Sequence, residues 1–371
     1  MKKIILIFLL MLCLFSLPVC AEDSDYKKQY EISGAEELKN SLSEEARNFF
    51  EENGLDISKS DWVNTLTSEN VFKHIWSFLT KGAVRPVKSG VAILGIIMVT
   101  SAVTSFGADE KRFTVAIYAG TLAVTAIIAS DVWSAVSVAV DAVKGCSTFM
   151  LSFIPVFAGV VALSGAAVTS VSMSALLLGA SECVMVVASH TVLPLMGAYV
   201  GMSVSIGVSP LARQAGIVQS VKKIATWIMS LISTVFVGIL GIQTAVNSAA
   251  DSVTVKTAKF ILGTTVPVAG TALSESVSAI TASLSLLRSS IGIYGVVALA
   301  VMMLPIIAEL LMWRTVMLVC SGTSEMFSLN KISGLLKAVD SMLSLLLGAV
   351  LLTVGMFIIS LCVAVNAGKT V

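Results

Sequence analysis

Six charged or titratable side chains stand inside long apolar stretches of this sequence, and they carry its most obvious chemistry. They are Glu182, His190, Glu275, Arg288, Glu309 and Arg314. A charge in hydrocarbon is costly, so such residues mark ion or proton pathways or pair with one another. Glu309 is the strongest candidate because it follows Pro305 in an apolar run. The plainer alternatives place Glu275 and Arg288 near an interface and Arg314 at the lipid headgroups.

Motifs typical of enzymes do not accompany these residues. The sequence has no Walker loop, no HExxH, no GxSxG and no dinucleotide fingerprint. Cys183 and His190 would share a helix face, but a lone pair at that spacing usually reflects packing. The cysteines have no metal-ligand spacing. We therefore predict a protein that is not an enzyme and that binds no metal and no cofactor.

The composition indicates a membrane protein. Of the 371 residues, 56% are apolar and 13% are charged, whereas a globular domain carries about a quarter charged residues. Several runs are long and uncharged enough to cross about 30 Å of hydrocarbon. We predict an all-α, polytopic helical membrane protein with roughly six to eight spans. The net charge of +1 and the lack of a basic patch argue against a nucleic-acid partner.

The first residues have the pattern of a secretory signal peptide. Lys2 and Lys3 precede an apolar run, and Val19-Cys20-Ala21 is an acceptable cleavage site. Residues 1–21 are therefore predicted to be a signal peptide. The alternatives are an uncleaved anchor and, less well supported, a lipoprotein at Cys20.

Residues 22–84 form a predicted acidic, helical, extracytoplasmic segment with thirteen acidic and seven basic residues. Ser33-Gly34-Ala35-Glu36 is a capping-box pattern that opens a helix, and Gly54 could close the next one. A further helix, about Ser68 to Thr80 and ended by Gly82, places Phe72 and Trp76 on its apolar face. That face is either a docking surface for partners or an amphipathic helix lying on the membrane.

The remaining chain divides into predicted membrane units. Residues 85–112 contain a first span, Ser89 to Phe106, and a basic cytoplasmic loop. Residues 113–221 and 222–320 are two membrane repeats, which contain predicted spans at Phe113 to Ser130 and Ile224 to Val246. A mixed stretch with Asp131, Asp141 and Lys144 follows the first of these spans. Residues 321–371 hold a polar loop, a last span (Met342 to Val365) and a tail. Basic loops at 111–112, 213–223 and 331–337 should be cytoplasmic by the positive-inside rule. Three of their residues are candidates for partner docking: Arg213, Lys222 and Lys223.

The repeat rests on a phrase that occurs twice. "PVFAGVVALS" begins at Pro155 and "PVAGTALS" begins at Pro267, and a Leu-Pro pair recurs at Pro194 and Pro305. Both copies would enter the membrane from the same side, which defines a parallel repeat. Chance similarity between apolar sequences is the alternative.

Serine-rich segments follow both phrases, at 164–178 and 274–287. Small hydroxylated residues favour close helix packing, and a broken backbone survives in a membrane only inside protein or beside a wet cavity. We expect proline-broken or re-entrant helices here, with ordinary kinked and packed helices as the alternative. The candidate gate positions are Pro155, Gly159, Pro194, Pro267, Gly270 and Pro305.

The sequence resembles the stage III sporulation protein AE family over nearly its whole mature length. The resemblance lies in "SEEARNFFEENGLD", "FKHIWSFLTKG", "SHTVLPLMGAYVGMSVSIG", "LARQAGIVQSVKKIATW" and "LLMWRTVMLVCSG". It implies a multi-pass protein of the mother-cell membrane around the forespore, with its N-terminal segment outside the cytoplasm. It also implies a complex with a cytoplasmic ATPase and bitopic, ring-forming membrane proteins.

Three functions follow from these patterns and from the resemblance. The leading one is a membrane subunit of the mother-cell-to-forespore channel complex, acting as a permease-like or export-gate core needed for late forespore gene expression. The second is a non-conducting scaffold that anchors the rings and the ATPase. The third is an independent secondary transporter. The partners expected are these complex proteins, the lipid bilayer and, in a homo-oligomer, further copies of the chain.

Overall fold

The computed structural model describes residues 23–59, 62–65, 68–106, 110–164, 166–186, 220, 223–243 and 270–366. All regular structure within these ranges is helical, which confirms the predicted all-α class. The helices are α1 (Asp23–Ile32), α2 (Glu44–Glu52), α3 (Ser68–Phe106), α4 (Glu110–Leu163), α5 (Ala167–Val186), α6 (Lys223–Gln243), α7 (Gly270–Met326) and α8 (Asn330–Asn366). Short 3-10 helices cover Ala35–Ser41 and Trp62–Thr65.

Helix α2 shows how the sequence sets the local structure of the N-terminal segment. Ser43 caps the helix, because its hydroxyl accepts a hydrogen bond from the Ala46 amide at 3.3 Å. Gly54 follows the helix with φ of 61°, and the Leu55 amide donates to the Phe50 carbonyl at 2.9 Å. The predicted stop at Gly54 is thus confirmed. The capping-box pattern at Ser33 opens a 3-10 helix that begins at Ala35. Gly34, directly before this helix, has φ of 70°.

Helix α3 corrects the prediction that Gly82 ends a helix. The helix runs from Ser68 through Gly82 and Pro86 to Phe106, so the amphipathic stretch and the first span are one element. A Cβ atom added at Gly82 would lie 3.3 Å from the backbone nitrogen of Glu309 on α7. The glycine therefore serves close helix packing, which outweighs its low helix propensity.

Helices α4 and α7 are much longer than one membrane span. They contain 54 and 57 residues, or about 80 Å each at about 1.5 Å per residue, against about 30 Å of hydrocarbon. The separate span predicted at 113–130 and the charged linker after it are therefore parts of one helix. Helix α4 continues through Pro155 and α7 through Pro305, so the backbone is helical on both sides of each proline.

Two helical hairpins shape the bundle. Helix α5 follows α4 closely in the chain and packs back against it, and the Ser170 hydroxyl donates to the Ala158 carbonyl at 2.6 Å. Helix α8 turns back on α7 after only three residues, 327–329. The polar loop predicted in the region of Lys331 and Lys337 is therefore mostly helix, and both lysines lie on α8.

The parallel repeat is not shown by these elements. Helix α4 ends at Leu163, and the equivalent position at the 112-residue offset of the repeated phrase is Glu275, which lies inside α7. Helix α6 corresponds to the predicted span after residue 223, but the phrase at Pro267 lies outside the described residues.

Helix α7 is the common contact of the bundle. It packs against α3, α4 and α8, and also against α1 and α2 of the N-terminal segment. Gly292 and Gly295 face α4 and α8, where a Cβ at Gly295 would lie 2.6 Å from Cζ of Phe153. Phe153 is fully buried and stacks on Phe157, with 5.4 Å between the ring centroids. The absence of a side chain at Gly295 is what permits this approach.

Five of the described helices are long and apolar enough to cross a membrane: α3, α4, α6, α7 and α8. This supports a multi-pass membrane protein. Helix α5 is a shorter apolar helix over Ala167–Cys183.

We predict that Gly295→Ala lowers the stability of the bundle by about 1–3 kcal/mol, the usual cost of overpacking. The matched control is Gly322→Ala on the same helix, where nothing lies within 4 Å of an added Cβ. That variant should be neutral or slightly stabilised because alanine is the better helix former. The aggregation temperature of the detergent-solubilised protein measures both effects. Equal temperatures for the two variants would contradict the packing described.

Candidate functional site: charged side chains inside the helical bundle

The six residues singled out in the sequence fall in different surroundings. Glu182 is exposed on α5, His190 lies outside the described residues, and Glu275 lies on α7 with no description of its side chain. Glu309 is half-buried on α7 beside Gly82. Those of the six whose side chains are described therefore do not form one site.

The candidate gate and docking positions are equally dispersed. Pro155 and Gly159 are exposed on α4, Pro305 is half-buried on α7, and Gly270 is the first residue of α7. On α3, Trp76 is 61% exposed, while the side chain of Phe72 is not described. Lys223 is exposed at the start of α6. Pro194, Pro267, Arg213 and Lys222 lie outside the described residues.

Arg314 on α7 forms an ion pair with Asp340 on α8. The Arg314 Nε donates to Asp340 Oδ1 at 2.9 Å, and the two side chains are 21% and 24% exposed. The pair neutralises a charge that sits in an apolar helix. This partner replaces the predicted extension of Arg314 to the lipid headgroups.

A second ion pair joins α3 and α4, and the sequence analysis missed it. Arg85 Nη2 lies 3.7 Å from Asp131 Oδ1, and Arg85 Nη1 donates to the Ser134 hydroxyl at 2.8 Å. The Ser89 hydroxyl donates to the other oxygen of Asp131 at 2.5 Å. The residue in the sequence that could have indicated this ion pair is Asp131. It was interpreted as part of a linker because a predicted span ends just before it.

The two ion pairs lie at the same level of the bundle. Gly82 on α3 faces Glu309 on α7, and Gly90 on α3 faces Val316 on α7, so the two helices run parallel. Arg85 on α3 therefore lies opposite the helical turn of α7 that carries Arg314. We call Arg85, Asp131, Arg314 and Asp340 the charge layer. It crosses four helices with no net charge.

Arg288 is the most deeply buried charged side chain among the described residues, at 3% exposure. Its Nε donates to the carbonyl oxygen of Ala364 at 3.0 Å, Nη2 bonds the same oxygen, and Nη1 lies 3.4 Å from the Ser164 hydroxyl. A cation at the C-terminal end of α8 satisfies carbonyls that lack helical partners and suits the helix dipole. Arg288 thus joins α7 to the end of α8 and to the α4–α5 turn.

The opposite face of α7 receives the N-terminal segment. Trp62 Nε1 donates to the Ser290 hydroxyl oxygen at 2.5 Å, and the Tyr26 hydroxyl lies 2.7 Å from the same oxygen. Gln29 Nε2 donates to Ser283 at 2.6 Å. We call Ser283, Ser290 and Tyr294 the N-terminal contact face. Tyr26 and Trp62 are each 1% exposed, so the segment is anchored by buried aromatic residues.

Two titratable groups of the N-terminal segment have shifted pKa values. Burial raises the pKa of Tyr30, which keeps its phenol neutral, and the nearby Asp56 and Glu36 charges act in the same direction. Burial also tends to raise the pKa of Asp56. Hydrogen bonds from Ser58 and the Lys39 ammonium at 3.1 Å outweigh it and hold that pKa below its ordinary value.

Two hydroxyls of the serine-rich helix α5 donate to backbone carbonyls. Ser170 donates to Ala158 on α4, and Ser174 donates to Ser170 at 2.6 Å. Ser181 differs, because its buried hydroxyl has no partner among the described residues. The outward face of α5 is apolar, with Val171 73% exposed and Leu178 42% exposed.

These features define a class of protein: a polytopic helical membrane protein in which two ion pairs join neighbouring helices. Within the described residues, no cluster of three or more His, Cys, Asp or Glu side chains could hold a metal ion. A family model described as stage III sporulation protein AE matches residues 57–368. The chain belongs to this family of sporulation membrane proteins, which confirms the resemblance seen in the sequence.

A curated relative agrees with the family. The chain is 28% identical over 168 residues to the stage III sporulation protein AE of Bacillus subtilis (strain 168). The aligned part covers 44% of this chain and 41% of the relative, so the match spans less than half of that protein. No solved structure matches the chain.

We predict that Arg314 and Asp340 are energetically coupled. Asp340→Asn leaves the Arg314 charge without its acid, and Arg314→Gln in addition should recover part of the loss, a coupling of about 1–3 kcal/mol. The control cycle uses the exposed pair Lys39–Asp56, with side chains 47% and 41% exposed, where the coupling should stay below about 1 kcal/mol. Unfolding midpoints of the single and double variants measure both cycles. Additive effects at Arg314 and Asp340 would show that the pair contributes nothing.

Proposed function

We propose that this chain is a membrane subunit of the mother-cell-to-forespore channel complex and acts there as a permease-like or export-gate core. In this role it supports late gene expression in the forespore. Its partners are a cytoplasmic ATPase and bitopic ring-forming proteins, and its location is the mother-cell membrane around the forespore. Family membership supports the sporulation role, and the uncovered face of α5 supports a part in a shared conduit.

The face of α5 carries this proposal. The helix folds back on α4, directs the Ser170 hydroxyl inward to the Ala158 carbonyl, and has Val171 and Leu178 exposed among the described residues. The Ser170 side of the serine-rich helix thus packs within the chain, and its exposed apolar side is accessible to another protein. A conduit built between subunits would pass along this outward face rather than through the middle of one bundle.

The distribution of charge supports the proposed orientation. Lys331 lies over the Tyr118 ring, 3.6 Å from its centroid, and Lys337 pairs with Glu325. These residues lie at the end of the bundle where α4 begins, with Glu110, Lys111 and Arg112 in its first turn. The acidic N-terminal segment contacts α7 at the opposite end. Basic residues inside and an acidic segment outside agree with the positive-inside rule.

A non-conducting scaffold is the second candidate, and the hydrogen bonds of α5 favour it. Hydroxyls that already donate to carbonyls at 2.6 Å have their protons satisfied within the protein and do not need channel water as an acceptor. A secondary transporter is the third candidate. The charge layer supplies the intramembrane ion pairs that such a protein needs, but a transporter would work without the complex.

Labelling of single cysteines separates the conduit from the scaffold. In a chain whose free thiols Cys146, Cys183, Cys320 and Cys362 have been replaced, Val171→Cys and Leu178→Cys should react with a membrane-impermeant thiol reagent in sporulating cells. The reaction should require the assembled complex.

The matched controls are Ser170→Cys, which is buried and should stay unlabelled, and Lys39→Cys, which is exposed on the N-terminal segment and should react. If both α5 positions stay unreactive in variants that still sporulate, the conduit proposal is wrong and the scaffold is supported.

A further inference from the structure

Two cations stand side by side on the outward face of α3. Arg85 and Lys88 are one helical turn apart, so they lie on the same side of the helix. Both side chains are exposed. Arg85 belongs to the charge layer, whereas Lys88 has no hydrogen bond and no ion pair among the described residues. The charge of Lys88 is therefore available to a group outside the chain.

Arg85 is only partly occupied by its partners within the chain. Its Nη2 lies 3.7 Å from Asp131 Oδ1, and its Nη1 donates to the Ser134 hydroxyl at 2.8 Å. The other oxygen of Asp131 accepts a hydrogen bond from Ser89. A guanidinium has five N–H donors, and this side chain is 47% exposed, so donors remain on its outward side. With two cations and one acid, this surface carries a net positive charge.

An indole ring and apolar side chains border the two cations. Trp133 precedes Ser134 on α4 and is 39% exposed. On α3, Val87 and Val91 flank Lys88 and are 45% and 65% exposed. Trp and long cationic side chains concentrate where hydrocarbon meets lipid headgroups, because each joins an apolar body to a polar tip. This combination is typical of a surface at the membrane interface.

The position of the cations along the helices agrees with a headgroup level. Residues 89–106 of α3 contain no charge and extend for about 27 Å at about 1.5 Å per residue. Residues 113–130 of α4 are uncharged over the same length. Each stretch matches about 30 Å of hydrocarbon, and Lys88 and Asp131 come directly at its end. In the orientation proposed above, this is the extracytoplasmic leaflet.

We propose that Arg85, Lys88 and Trp133 form a binding site for the headgroup phosphate of an anionic phospholipid. The phosphate lies between the two cations, Trp133 borders the headgroup, and an acyl chain follows the exposed apolar face of α3 past Val91 and Met98. A lipid with a net negative charge suits this surface better than a zwitterionic one, whose own cation is repelled. The site needs only α3 and α4, so it is independent of the proposed conduit.

The experiment is native mass spectrometry of the purified full chain in detergent. The chain is titrated with phosphatidylglycerol, with phosphatidylcholine of the same acyl chains, and with inorganic phosphate as a competitor. We expect saturable binding of phosphatidylglycerol, at least about fivefold tighter than that of phosphatidylcholine. Equal affinity for the two lipids would overturn the proposal. Displacement of the lipid by an equal concentration of inorganic phosphate would identify a phosphate ion as the ligand and would overturn it as well.

Variants connect the binding to the charges of this surface. Lys88→Gln should weaken phosphatidylglycerol binding about fivefold without affecting the fold, because Lys88 has no partner among the described residues. The control Lys28→Gln removes the same charge from an exposed position on α1 and should have no effect. Asp131→Asn keeps an oxygen for Ser89, removes the acid and should tighten the binding.

The increase expected for Asp131→Asn is opposite to the effect of a loosened bundle, so it separates a binding role from a structural one. Unchanged binding in Lys88→Gln, or an equal loss in Lys88→Gln and Lys28→Gln, would overturn the proposal. Weaker binding in an Asp131→Asn variant that unfolds at the temperature of the parent chain would do the same.

Discussion

The packing of α7 between Ser283 and Gly295 is the constraint on which the rest of this structure depends. One face of this stretch is smooth at Gly292 and Gly295 and receives the Phe153 ring of α4 and the end of α8. The other face bears Ser290, which bonds the N-terminal segment. Arg288 ties the ends of neighbouring helices to the same stretch. A change in this short part of one helix would therefore reach four other elements.

Charge neutralisation is the second organising feature. An unpaired charge in hydrocarbon is expensive, and the charge layer avoids that cost by joining α3 to α4 and α7 to α8. Paired charges also fix the register of the helices, because sliding by one turn would separate the partners. Arg288 solves the same problem differently, with carbonyl and hydroxyl oxygens instead of an acid.

The helical class, α2 with its stop at Gly54, the span in α6 and the family resemblance could be predicted from the sequence, since they depend on local pattern and composition. The continuity of α3 through Gly82 could not. A glycine reads as a helix end when its neighbour in space, Glu309, is unknown. The partners of Arg314 and Arg288 were hidden for the same reason, because Asp340 and Ala364 are distant in sequence. Local patterns predict helices, whereas pairing across helices depends on the tertiary fold.

The most direct test of this account is a proximity measurement between the N-terminal segment and α7. A thiol-free chain would carry Gln29→Cys together with Ser283→Cys, whose native side chains lie 2.6 Å apart, and would be treated with a short bis-methanethiosulfonate reagent in membranes. The control pair is Gln29→Cys with Ser285→Cys, which lies on the opposite side of α7. We predict an efficient cross-link for the first pair and little for the second. Equal cross-linking of both pairs, or none at Ser283, would contradict the placement of the N-terminal segment on α7.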